Sequence, residues 1–114
     1  MKTLNRVQLI GRIGQEPKIH SSQPDKETHA TLNICTITTR KNNEEELVWH
    51  KLVGFSGIIP IIKGFKKGDR IFVEGMISNS QYVDANGNKQ YSSCIIIHHC
   101  HKTDPMVNLS TPIG

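Results

Sequence analysis

Aromatic side chains are scarce in this chain of 114 residues: one tryptophan, two tyrosines and three phenylalanines, none of them before Trp49. Hydrophobic residues reach 36%, which is lean but adequate for a globular protein. At this length a single domain buries roughly two-thirds of the surface its unfolded chain exposes. Long apolar runs are also missing. The best of them, Ile58 to Ile62, is short and broken by Pro60, so no segment is a candidate to span a membrane. Near the start, Arg6 and Arg12 interrupt any stretch that a secretory leader would need. Cysteine is confined to Cys35, Cys94 and Cys100, an odd number with no framework spacing. That argues against a disulfide scaffold and for unpaired thiols in a reducing compartment. A soluble intracellular protein is expected. The formal charge of +4 fits a polyanionic partner without requiring one.

What is present reads mostly as strand. Val7, Leu9 and Ile10 to Ile13 suggest a first strand punctuated by Gly11 and Gly14, glycines that predict a bulge or a sharp bend. The Gly11-x-x-Gly14 spacing lacks the helix and acidic residue of a dinucleotide site and carries little weight as a phosphate cradle. His20 to Lys26, with Pro24 and Asp25, reads as a loop. Ala30, Leu32, Ile34 and Thr36 alternate in a second strand. A charged loop from Lys41 to Glu46 precedes a third strand around Trp49. Pro60 early in the apolar stretch Ser56 to Phe65 predicts a short helix, ended by Lys66-Lys67-Gly68-Asp69. Ile71, Val73 and Ile77 mark a fourth strand. Asn86-Gly87 signals a hairpin to a fifth, Tyr91 to Ile97. This order predicts an all-β fold: an OB-fold, a five-stranded, partly open Greek-key barrel with one short helix between strands three and four. Such barrels commonly bind oligonucleotides on one face. An SH3-like barrel is the alternative, but the helix favours OB. The domain is expected over residues 1–104, with 105–114 as a short tail.

The most telling run is Trp49-His50-Lys51-Leu52-Val53-Gly54-Phe55. On a strand, Trp49, Lys51, Val53 and Phe55 share one face, while Val48, His50 and Leu52 share the other. An aliphatic face goes to a core. Two large aromatics flanking a lysine suit a nucleic-acid strand, because a base stacks on each ring while the ammonium neutralises a phosphate. The competing reading makes both rings ordinary core, as aromatics mostly are.

Together these segments resemble the single-stranded DNA-binding protein (SSB) family of bacteria and mitochondria. The likeness rests on Leu4-Asn5-Arg6-Val7-Gln8-Leu9-Ile10-Gly11-Arg12-Ile13-Gly14-Gln15-Glu16-Pro17, the Trp49 to Phe55 run, Lys66 to Gly75 and Tyr82-Val83-Asp84-Ala85-Asn86-Gly87. It extends from about Leu4 to Ile97, with the motifs in the family's order. The resemblance implies sequence-tolerant binding and protection of single-stranded DNA in replication, recombination and repair, by a homotetramer, without enzyme activity, cofactor or metal. It places base-stacking aromatics at Trp49 and Phe55, and at Tyr82, where many members have tryptophan. Arg40 stands where many bacterial members have tryptophan; its guanidinium can still stack or contact phosphate. Lys51, Arg40, Lys41, Arg6, Arg12 and Lys67 are the candidate phosphate partners. His50, with Val7 and Leu9, is implied at a subunit contact. The sequence ends at Ser110-Thr111-Pro112-Ile113-Gly114 without the glycine- and proline-rich linker and acidic tip typical of bacterial cellular members. The resemblance therefore does not carry over the recruitment of replication and repair proteins by such a tip. A bacterial cytoplasmic setting (nucleoid, phage or plasmid) is implied, or else the mitochondrial matrix nucleoid.

Two rival readings compete. His98-His99-Cys100-His101 invites a metal site, but on a regular strand His98 and Cys100 face one way and His99 and His101 the other, and the spacing fits no usual zinc pattern. A frayed strand end with solvent-facing imidazoles is the expectation. The second rival is a primosomal-type OB-fold replication accessory protein that acts mainly through protein contacts. Retention of Trp49, Phe55 and Tyr82 argues against it, and the loss of an aromatic at Arg40 leaves it some room.

Overall fold

Alternating aliphatic and polar residues draw most of the chain into antiparallel strands, seen in a computed structural model that describes residues 2–103. The strands are β1 (Val7–Ile13), β2 (Lys18–Gln23), β3 (Lys26–Thr39), β4 (Glu45–Phe55), β5 (Arg70–Val83) and β6 (Lys89–Lys102). A 3-10 turn at Ser56–Ile58 leads into a short helix, α1 (Ile59–Lys63), with Pro60 in its first turn, where a missing N–H costs nothing. The expected tail, 105–114, lies outside the described residues.

In the sheet β1 pairs with β5, β5 with β6, β6 runs parallel to β4, and β4 pairs with β3. Contacts of Arg12 with Cys35 and Ile13 with Ile34 return β3 to β1 and close a five-stranded barrel. This is the OB architecture, with the helix between the third and fourth barrel strands. The sixth strand, β2, lies outside the closed circuit as a hairpin partner of β3. Here the expected loop at His20 to Lys26 is corrected: only Pro24 and Asp25 form the turn. Its polar sequence hides a strand because β2 is largely exposed, with only Ile19 packed against the core.

The core is aliphatic. Ile34, Leu52, Ile62, Ile71 and Val73 are fully buried, and among the described residues no polar side chain is. Ile59, Ile62 and Phe65 bring the α1 segment into the same cluster. β1 runs unbroken through Gly11, where a Cβ would meet the Cys35 carbonyl oxygen at 2.5 Å. The glycine serves the close approach of β1 to β3 rather than a bulge.

The bulge falls elsewhere. Between Glu74 and Gly75 the β5–β6 register shifts, leaving His98 as the extra residue. This corrects two expectations. β6 extends past Ile97 to Lys102, so the histidines lie within a strand and not at a frayed end. The bulge also breaks the parity, since Cys100 is buried while His98 is exposed. His99 and His101 are exposed and lie against Phe72, at 6.3 Å edge-on and 5.2 Å stacked. Among the described residues no three His, Cys, Asp or Glu side chains converge as metal ligands would.

The β5–β6 turn is longer than a two-residue hairpin. Asp84 to Asn88 separate the strands, with Gly87 at φ +82°. The Asp84 carboxylate accepts the Asn88 and Asn86 backbone N–H groups, each at 2.9 Å, and Gln90 Nε2 at 3.1 Å; these bonds hold its pKa below the ordinary value.

Candidate nucleic-acid interface

Eleven residues of β3 and eleven of β4 pair without a register shift, so alternation along these strands holds throughout. Leu52 lies opposite Leu32 and His50 opposite Ile34, toward the core. The other face carries Trp49, Lys51, Val53 and Phe55, opposite Cys35, Asn33, Thr31 and His29. Trp49 is 58% exposed and Phe55 46%, with Lys51 exposed between them, while Val53 is buried. The indole lies over Gly14, where a Cβ would collide with the ring, so the glycine just beyond β1 gives Trp49 a flat seat. Ile37 and Leu47, opposite each other, extend the same outer face as exposed apolar residues.

Neighbouring strands complete this face. Arg12 pairs with Cys35, which pairs with Trp49, so the arginine and the indole belong to one cross-strand row. Its Nη1 donates to the Gly68 carbonyl at 3.2 Å. Lys18 pairs with Thr31, opposite Val53, and shares a shallow depression with Lys51, Glu16 and Asn33. The loop carrying Lys67 reaches this side too, its backbone N–H donating to Glu16 Oε1 at 3.1 Å. His20 pairs with His29, which lies opposite Phe55. A base could stack on the half-exposed rings while the cations around them meet its phosphates.

A model of the single-strand binding protein family matches residues 4–102. This chain belongs to that family. Among its relatives, single-stranded DNA-binding protein 1 of Xylella fastidiosa is 38% identical over 102 residues, covering 84% of this chain and 74% of the relative. The single-stranded DNA-binding protein of Rhizobium meliloti is 31% identical over 113 residues, covering 93% of this chain and 64% of that one. A solved Plasmodium falciparum SSB in complex with ssDNA superposes with a TM-score of 0.79 at 27% identity, over 91% of this chain and 98% of that one.

Within this family frame, the other expected site residues are scattered. Arg40 and Lys41 begin the β3–β4 loop, and Arg40 Nε donates to Glu46 Oε2 at 2.8 Å. Glu46 alternates with Trp49 and stands on the opposite face of β4, so Arg40 is drawn away from the indole. Tyr82, 54% exposed, lies near the tip of the β5–β6 hairpin. Arg6 is exposed just before β1, beside Asn5, whose side chain bonds the Ile77 backbone at 2.8 and 2.9 Å.

Val7 and Leu9, the other residues expected at a subunit contact, are half-buried and pack against the core. His50 is half-buried, with Nε2 2.9 Å from Thr36 Oγ1, and desolvation lowers its pKa. Together with Trp49 and Lys51 it lines a groove completed by Ile77, Cys94 and Ile95, where β4 diverges from β6. Lys18 and His20 went unrecognised because polar β2 was not expected as a strand, and His29 because β3 begins before the alternation that starts at Ala30. No periodic signal marked them.

Proposed function

We propose that this protein binds and protects single-stranded DNA with little regard for sequence, stacking bases on Trp49 and Phe55 and neutralising phosphates with Lys51 and the cations beside it. One observation carries the reading. In a chain of this family, the two half-exposed rings flank an exposed lysine on a single face of β4. The family match does not favour the reading as an accessory protein acting mainly through protein contacts. The role is one of binding in replication, recombination and repair rather than of catalysis. Assembly as a homotetramer belongs to the proposal, supported by the family and by the half-buried His50. So do contacts with replication and repair proteins, and a setting in the bacterial cytoplasm or on phage or plasmid DNA. Bacterial relatives and three unpaired cysteines support that setting.

Titration with oligothymidylates of increasing length, alongside light scattering, tests this directly. Affinity should fall linearly on a log–log salt plot, by about 0.7 per phosphate contact, and keep a residual at high salt from stacking. Binding that vanishes at moderate salt, equally for duplex DNA, would reduce the site to a generic cationic patch.

A further inference from the structure

Three rings on three neighbouring strands form one row across the proposed binding face. His20 on β2 lies opposite His29 on β3, which lies opposite Phe55 on β4. The two spacings in the row differ in kind. His20 and His29 are stacked, parallel within 8° at 4.4 Å between centroids. His29 and Phe55 are 6.1 Å apart and inclined by 41°, which leaves a wedge between two partly exposed rings. The imidazoles are tethered: His20 Nε2 lies 3.1 Å from Thr31 Oγ1, and His29 Nδ1 lies 3.0 Å from Thr28 Oγ1.

We propose that His29 forms the second wall of a base-binding slot, so that the base stacked on Phe55 is held between the phenyl ring and the imidazole. His20 is a positioning residue that backs the His29 ring from the far side. This inference rests on the reading of the face as a single-stranded DNA site. A base between two rings needs two stacking spacings of about 3.4 Å, or about 7 Å in all. The wedge must open by about 1 Å and lose its 41° tilt, which turning the Phe55 ring about its broad χ2 torsion, with a smaller adjustment at χ1, can supply. Stacking also explains the pairing of the imidazoles: one ring held from behind presents its other face to a ligand. A purely structural pair that pins β2 to β3 would need no third ring facing it.

The test uses the whole protein and Trp49 fluorescence during oligothymidylate titration. His29→Ala and His29→Leu should each weaken binding roughly fivefold, the lower end for one base–aromatic contact, while His29→Phe keeps near-native affinity. His20→Ala should cost less, because it acts through His29. Adding His29→Ala to Phe55→Ala should cost less than His29→Ala alone, since without Phe55 no base is held in the slot. Native affinity in His29→Leu, equal loss in His29→Phe and His29→Ala, or independent losses in the pair would overturn the slot.

A measurement on the native protein covers the case in which substitutions loosen the hairpin. Oligodeoxyadenylate should shift the His29 imidazole proton resonances through the purine ring current. Unmoved resonances while Trp49 is quenched would remove His29 from the site and leave the DNA reading standing. A wild-type protein that binds no single strand would instead overturn that reading itself.

Discussion

Replacing Trp49 by alanine separates a ring that binds from a ring that merely packs. At 58% exposure, roughly two-fifths of the residue is covered, and the indole lies over Gly14. For a tryptophan of about 250 Å² this is about 100 Å² removed from water, or at most about 2.5 kcal/mol of stability. A fully buried aromatic would cost about 3–5 kcal/mol. Trp49→Ala should therefore stay folded, with a modest fall in Tm. Its loss on the DNA side is about 1–3 kcal/mol, the magnitude found for one base–aromatic contact in single-strand binding proteins of this kind, or roughly 5- to 150-fold in Kd. Since the chain holds one tryptophan, emission in the native protein reports on this position alone. Oligothymidylate should quench it in proportion to occupancy, and the quench should persist in high salt. Phe55→Ala should lose a comparable amount, and the pair should be less than additive, because neighbouring stacked bases share an ordering cost. Normal DNA affinity in a folded Trp49→Ala protein would refute the stacking assignment, as would an emission that DNA leaves untouched.

Glu46→Gln should free the Arg40 guanidinium, steepening the log affinity–log salt slope by about 0.7 at a cost below about 1 kcal/mol for an exposed pair; an unchanged slope would deny Arg40 a phosphate contact. Desolvation holds His50 below its ordinary 6.5, so the unfolded chain takes up the proton first. Its contribution should leave stability unchanged above about pH 6.5 and reduce it as pH falls through that value, less steeply in His50→Gln, and equal slopes in the two proteins would show that His50 is not the group responsible. His50→Lys should dissociate the oligomer on dilution and weaken long oligonucleotides more than short ones; an unchanged assembly state by light scattering would remove His50 from the contact. Burial pushes the Cys100 thiol up to about 11, so alkylation at pH 8 should reach Cys35 and Cys94 first and Cys100 only on unfolding; early labelling of Cys100 would contradict its place in the core.

How much of this could be read from the sequence depends on where two-residue alternation survives folding. It survives along β4, whose unshifted register with β3 kept Trp49, Lys51 and Phe55 on one face as their parity predicts. It fails on β6, where the bulge at His98 lets Cys100 enter the core while His98 stays outside. Nothing local in His98-His99-Cys100-His101 announces that break, because the shift is shared with Glu74 and Gly75 on another strand. β2 fails for a different reason: a strand exposed over most of its length has no need of alternating apolar residues, so it resembles a loop.

The site divides along the same line. Trp49 and Phe55 were legible because one strand carries both, whereas His20, His29 and Phe55 meet only through two successive cross-strand registers. Arg40 shows the limit from the other side. Its position beside the run Glu44 to Glu46 is plain in the sequence, yet which glutamate captures it follows from the closure of the hairpin, where Arg40 N–H donates to the Glu44 carbonyl at 2.8 Å. That closure brings the guanidinium to Glu46, on the face opposite Trp49. Residues that one strand delivers together can be inferred from their spacing. Those that closure of the sheet brings together, such as the imidazole row and the Arg40–Glu46 pair, depend on the registers, and there the charge and ring count of a segment say little about which face it serves.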